Sequence, residues 1–157
     1  MSIETSEGTC IAVSLATPAT HDEVGFKALT FTQIGELENI GDLVRAKTQV
    51  SFTNMCTGKT SVKKGAEEAS TLDINAALDR ADAGQLLMDD AYDQKGDVAF
   101  KVTENHGAGP ITYFRASVLR ASVRFGSGPN DVKRAAYQAG IVVPNNATST
   151  FIETPGP

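Results

Sequence analysis

The stretch Val44-Arg45-Ala46-Lys47-Thr48-Gln49-Val50-Ser51-Phe52-Thr53 decides the fold class. Val44, Ala46, Thr48, Val50 and Phe52 fall on one side of an extended chain, and Arg45, Lys47, Gln49, Ser51 and Thr53 on the other. That two-residue period belongs to a β-strand with one apolar and one polar face. It returns at Leu72, Ile74, Ala76 and Leu78, with Asp73, Asn75 and Asp79 outward, and again at Val98, Phe100 and Val102. From Ile111 to Phe125 a long run carries Phe114, Ala116 and Val118, then changes register to Ala121, Val123 and Phe125.

Working outward, Ala28 to Thr32 alternates through Leu29 and Phe31, while Ile34, Leu37 and Ile40 slip out of that register where Gly35 and Gly41 permit a bulge or turn. A final strand is expected over Val132 to Val143, although its run Ala135-Ala136-Tyr137-Gln138-Ala139-Gly140 is poor in β-branched residues. Asn105 to Pro110 and Gly126 to Asp131 are dense in turn residues. One helix is expected, over 82–93: Asp82 is an N-cap, Gln85 makes a box-like pair with it, and Ala83, Leu86, Leu87 and Ala91 keep helical spacing before Gly96. The sum is a mainly β domain, a β-sandwich or barrel of about seven strands with one flanking α-helix. No internal repeat is visible.

Three segments fall outside this pattern. Residues 1–25 read as an N-terminal arm with one short strand around Ile11 to Leu15, and 144–157 as a C-terminal tail, leaving 26–143 as the β-domain. Residues 54–69 hold Lys59, Lys63, Lys64, Glu67 and Glu68 and almost nothing large and apolar, so a long, charged, exposed loop is expected there. Loops of that length usually bind something or order against a partner.

Composition narrows the function. The chain has 157 residues, 41% hydrophobic and 21% charged, enough for one domain with a real core. Its net charge of -5 argues against a protein that binds nucleic acid by neutralising phosphates. Cys10 and Cys56 lack the spacing of a zinc site, and a reduced, partly buried pair is expected. The first ten residues carry Glu4 and Glu7 without a basic or apolar leader, and no apolar run approaches the roughly 18 residues of a membrane span, so cytosolic synthesis without membrane binding is expected. The sequon Asn146-Ala147-Thr148 matters only in a secretory compartment, to which nothing else points.

Catalytic chemistry finds no foothold. Gly58-Lys59-Thr60 resembles the end of a phosphate loop, but Thr53 stands where the motif needs its first glycine. His21, beside Asp22 and Glu23, and His106, in a turn, read as solvated histidines. Asp89, Asp90, Asp93 and Asp97 lack the alternate spacing of a calcium loop and oppose the helix dipole, so they read as a solvated or partner-facing acidic patch. No Gly-x-Ser-x-Gly turn or twin carboxylates in an apolar setting occur, and an enzyme, cofactor or metal site is not expected.

Val13-Ser14-Leu15-Ala16-Thr17-Pro18, then Gly25-Phe26-Lys27-Ala28-Leu29-Thr30-Phe31 and Ile34-Gly35-Glu36-Leu37, resemble the opening of major tail tube proteins of long-tailed, siphophage-type (lambda-like) phages. Leu72-Asp73-Ile74, Asp82-Ala83-Gly84-Gln85-Leu86-Leu87, Tyr113-Phe114 and Gly126 to Lys133 continue the likeness in order, across most of Ile11 to Val143. The resemblance implies a β-sandwich with a flanking helix that assembles into hexameric rings, stacked as a hollow tube for genome delivery. It also implies a place in the virion tail after synthesis in the host cytoplasm, with the tape-measure protein and DNA in the lumen and tail terminator and tail-tip proteins at the ends. Within it, Lys59, Lys63, Lys64, Glu67 and Glu68 of the loop and His21, Asp22 and Glu23 of the arm are expected at ring-to-ring contacts. The net charge suggests an acidic lumen along which a polyanion slides by repulsion. Two other readings compete: the tube of a contractile tail or secretion-like machine, marked by a neighbouring sheath gene, and a virion-displayed carbohydrate-binding sandwich, for which a chain without Trp offers no aromatic platform.

Overall fold

The computed structural model describes residues 3–144 and 149–156; the sequon at Asn146 lies outside them. The elements run β1 (Cys10–Ser14), α1 (Glu23–Lys27), β2 (Thr32–Gln33), β3 (Leu37–Ile40), β4 (Ala46–Thr53), β5 (Thr60–Glu68), β6 (Thr71–Ala77), α2 (Ala83–Asp93), β7 (Val98–Thr103), β8 (Ile111–Arg124), β9 (Arg134–Ile141) and β10 (Ile152–Thr154). Eight strands form one antiparallel sheet in the order β2-β1-β7-β8-β9-β6-β3, with β10 also on β8, and β4 and β5 form a separate two-stranded ribbon. The mainly β class with a flanking helix is therefore as expected, built as one large antiparallel sheet and a ribbon.

Strand β8, 14 residues long, connects the two halves of that sheet. Its first half, Ile111 to Ala116, pairs with β7; its second, Ala116 to Arg124, pairs with β9, with a register shift between Val118 and Arg120. That irregularity is the register change visible in the sequence. A bulge bends its strand and increases the local twist, and one core cluster joins the inward residues of both halves: Ile11 and Val13 of β1, Phe100 of β7, Leu72 and Ile74 of β6, and Tyr137 and Ala139 of β9. At its centre the Phe100 and Phe114 rings stack with centroids 5.3 Å apart, and Phe151 meets Phe114 edge-on at 5.8 Å. A smaller cluster of Phe26, Ala99 and Tyr113, flanked by Leu29, Phe31, Ile111 and Ile152, lies on the opposite side of β7 and the start of β8.

Helix α2 joins the main core through Met88 and Ala91. Asp82 caps it, its Oδ2 accepting from Gln85 N at 2.9 Å and from Gly35 N at 3.0 Å, so one carboxylate fixes both the helix start and the β2–β3 turn. Gln85 does not close the expected box: its Nε2 donates to Ala77 O at 2.8 Å and its Oε1 accepts from Asp79 N at 3.1 Å, which ties the buried side chain to the end of β6. At Gly84 a Cβ would stand 2.3 Å from Gln33 O, so only glycine lets the helix approach this closely.

Several expectations need correction. The strand over Ala28 to Thr32 is reduced to Thr32–Gln33, because a second helix, α1, precedes it, started by Asp22 Oδ1 accepting from Gly25 N at 2.7 Å. Leu29 and Phe31 reach the smaller cluster from a turn, which mimics strand alternation. The short strand expected around Ile11 to Leu15 is present as β1, and it lies inside the sheet between β2 and β7. The alanine-rich run is β9, wholly enclosed between β8 and β6, where bulk is excluded: a Cβ on Gly140 would lie 2.9 Å from Leu119 Cδ1. The expected loop over 54–69 is mostly strand β5, hidden from a periodicity reading because neither face of the ribbon is buried.

Replacing Phe114 with alanine removes the ring that joins both aromatic contacts at the centre of the core. Urea unfolding should show a loss of about 3–5 kcal/mol relative to the parent.

Candidate assembly surfaces

The β4–β5 hairpin is held in register by Val50 opposite Lys63, Ser51 opposite Val62 and Phe52 opposite Ser61. Its turn is closed by Asn54 N donating to Lys59 O at 2.9 Å, with Asn54 Oδ1 accepting from Cys56 N at 2.9 Å, and Gly58 sits at φ +68. Gly58-Lys59-Thr60 is thus a hairpin turn running into a strand, without the helix that a phosphate loop requires. Val50 (53% exposed) and Phe52 (68%) face water, so the face that looked buried in the sequence is an open apolar stripe, and Val62 (58%), opposite Ser51, is exposed on the other face. Lys59 stands in the turn and Lys63 and Lys64 along β5, all exposed.

At the base of the hairpin the structure joins two groups that sequence reasoning named separately. His21 Nε2 lies 3.2 Å from Thr150 O, and the Thr150 hydroxyl donates to Glu67 Oε1 at 2.9 Å, so His21 and Glu67 meet through buried Thr150. His21 also sits edge-on to Phe26 with ring centroids 5.3 Å apart, which makes it half-buried rather than solvated. Glu68 Oε1 accepts from the Thr48 hydroxyl at 3.2 Å. Asp22 serves as the α1 cap, with its carboxyl held below the ordinary value first by the Gly25 N–H and then by the Thr20 hydroxyl. Glu23 pairs with Lys27 one helical turn on. Of the named residues, then, Lys59, Lys63 and Lys64 are open for contact, whereas His21, Asp22, Glu67 and Glu68 have local bonding roles.

A third surface was not singled out in the sequence. On the outward side of β8, β9 and β6, the register aligns Ser122, Ala136 and Asn75 in one row and Arg120, Gln138 and Asp73 in the next. Asn39 of β3 extends the first row, its Oδ1 accepting from Asn75 Nδ2 at 2.9 Å. No described residue covers this polar face, whereas α1 and β10 cover the outward side of the other half through the smaller core cluster. Arg134 at its border is held by Glu38 at 2.7 Å and Asp131 at 2.9 Å; Arg120 and Arg124 make no ion pair with described residues. The alternation that follows the β8 register change carries the signal for Arg120, Ser122 and Arg124. Two strand edges flank this face: β3, and residues 117–124 of β8, which among the described residues pair on one side only, with β9.

The exposed side of α2 is apolar and acidic. Leu86, Asp89, Asp90 and Asp93 recur at intervals of three and four residues, all exposed. Burial raises the Asp89 carboxyl above its ordinary value, and Asp90 and Asp93 add to the rise against Arg80. Asp97 stands apart from this patch, accepting from Arg115 at 2.9 Å and from the Ser117 hydroxyl at 2.8 Å. No group of three or more metal-ligating side chains occurs among the described residues. His106 lies exposed in a tight turn at φ 54, and both cysteines are free, Cys10 half-buried but Cys56 exposed at the hairpin turn, not partly buried as expected.

No family model and no curated protein matches the sequence. Solved structures do match the fold. The SPP1 tail tube is 12% identical, with 94% of this chain and 76% of that chain covered and a TM-score of 0.62. The tail of an empty gene transfer agent particle, refined with C6 symmetry, is 12% identical over 90% of this chain and 96% of that one, with a TM-score of 0.62. The sheath/tube terminator of an extracellular contractile injection system is 10% identical over 98% of each chain, with a TM-score of 0.64. The chain has the tail-tube fold.

Two outcomes follow from this geometry. The Asp131 carboxyl accepts from Ser127 N, Arg134 and Val132 N and is held down to about 2, so NMR titration should place its midpoint there. Since that lies below the 3.8 of an ordinary aspartate, the turn gains stability from Asp131 above 3.8 and loses it as pH falls through about 2. Replacing Thr150 with valine leaves Glu67 without its donor and should cost on the order of 1 kcal/mol. Hydrogen exchange should then quicken at the β5 end of the hairpin and stay unchanged in α2.

Proposed function

We propose that this chain is the subunit of a phage tail tube, closing into hexameric rings that stack into a hollow conduit for genome delivery. One observation carries the reading: a polar, uncovered face bounded by two open strand edges, on a sheet whose other half is covered. Pairing the β8 edge of one copy with the β3 edge of the next is a heterologous contact that rotation can close into a ring. Closure removes both edges, which otherwise invite uncontrolled pairing, and turns the polar face toward a water-filled lumen lined by four strands from each copy. The sixfold symmetry of the gene transfer agent tail, on the same fold, supports the ring number.

In this arrangement Asp73, Asn75, Arg120, Ser122 and Gln138 line the channel, with the tape-measure protein and then DNA inside it. The lining is not the acidic one that the net charge suggested: Arg120 and Arg124 stand against Asp73, and the negative charge collects on α2 instead. The hairpin, with Lys59, Lys63 and Lys64 exposed, makes the contact between rings. A two-stranded ribbon wet on both faces is marginal alone and gains a second layer from a neighbouring ring. Tail terminator and tail-tip proteins cap the ends, in the virion. The contractile tube is the second reading, favoured by the match to a sheath/tube terminator; pull-down of a sheath subunit by assembled tubes would select it.

Negative-stain electron microscopy across a concentration series should show hollow tubes or six-fold rings, and a persistent monomer at every concentration would sink the reading. Replacing residues 51–62 with Asn-Gly joins the paired Val50 and Lys63 by a two-residue turn. That variant should melt like the parent and form no tubes; normal tubes would refute the role of the hairpin.

A further inference from the structure

The hairpin and helix α2 carry surfaces of complementary charge, each beside exposed apolar residues. The side of the ribbon that bears Val50 and Phe52 also bears Lys63, by the Val50–Lys63 pairing, with Lys59 in the turn beyond. The exposed side of α2 presents Leu86 beside Asp89 and Asp90, and Leu86 shares a cleft with Val123 of β8. Leu86 is 50% exposed and Val123 40%, an apolar floor open to water with carboxylates at its rim. The cleft holds about 150 Å³, below the roughly 300–1,000 Å³ of small-molecule sites, so it has room for a side chain and not for a metabolite.

We infer that the hairpin of one copy seats on α2 of a neighbouring copy, Phe52 entering the cleft between Leu86 and Val123 while Lys59 and Lys63 meet Asp89 and Asp90. This rests on the tube reading and names the receiving surface for the contact between rings. Charge complementarity selects the occupant. The α2 rim is a like-charge cluster in which partial burial, then repulsion from Asp90 and Asp93, hold the Asp89 carboxyl up, and an arriving ammonium offsets both by favouring the ionised form. Arg80, the cation at the same cleft, does not fully offset them, since it lowers that carboxyl while the net shift is upward. The ribbon, for its part, has an uncovered apolar stripe next to lysines that no described carboxylate pairs. Burial of apolar groups at the centre with opposite charges around them is the usual anatomy of a specific interface, in which the charges set partner choice and approach rate.

Charge reversal with rescue tests the pairing. Lys59→Glu with Lys63→Glu places acid on the hairpin; Asp89→Lys with Asp90→Lys places base on the helix, where cations near a C-terminus favour folding. All four positions are exposed, and circular dichroism melts should match the parent. Each pair of substitutions should raise the concentration needed for tube formation by about tenfold or more, and all four in one chain should restore it to within about threefold, as expected when close charge pairs set partner choice. Helix reversals that assemble like the parent, or a quadruple variant that stays unassembled, would overturn the inference and leave the tube reading intact. A parent chain that never forms tubes would instead remove the reading on which it rests.

Discussion

The backbone ladder of β8 is the constraint from which the rest of the molecule follows. One strand feeds two sheets' worth of partners: β7 and β10 along its first half, β9 along its second. A flat strand of that length would hold all its partners in one plane and leave the inward residues of β1 and β6 without a common core. The shift between Val118 and Arg120 bends it, and the aromatic cluster around Phe114 fills the space so created. The same bend frees one side of residues 117–124 from β7, so the device that closes the core also exposes an edge.

That coupling divides the molecule by face. Where the outward side of the sheet carries apolar residues, α1 and β10 cover it; where the outward side is polar, no described residue covers it. Helix α2 completes the core and is fixed by part-buried hydrogen bonds that join Asp82 and Gln85 to the neighbouring β-structure. Such bonds, once satisfied, set position more than they add stability. The hairpin stands apart from all this, held at its base by Thr150 and otherwise open.

Residues with one buried face were legible in the sequence. Leu72, Ile74, Phe100 and Phe114 alternate because one side of each strand meets the core, and Asp82 announces α2 because an N-cap is a local chemical event. Legibility failed where burial and periodicity part company. Strand β5 shows no apolar face because neither of its faces is buried, while Val50 and Phe52 on β4 imitate a core face that is in fact wet. Thr150 could not be found at all, since its bonds to Glu67 and His21 span distant parts of the chain. Helix α1 was hidden for another reason: at five residues it is too short for a 3.6-residue period to register.

The order of the strands also governs when the subunit can exist. Strand β1 is laid down first yet pairs with β7, Cys10 opposite Thr103, and Phe151 completes the aromatic cluster from the far end of the described chain. Contacts so distant in sequence make folding slow and concerted, because loop closure must precede its reward. The hairpin, by contrast, is local and leaves the ribosome well before the core can close. Its open apolar stripe is therefore exposed on a nascent chain that has as yet no folded body, a period in which chaperone cover matters more than it does for the finished subunit.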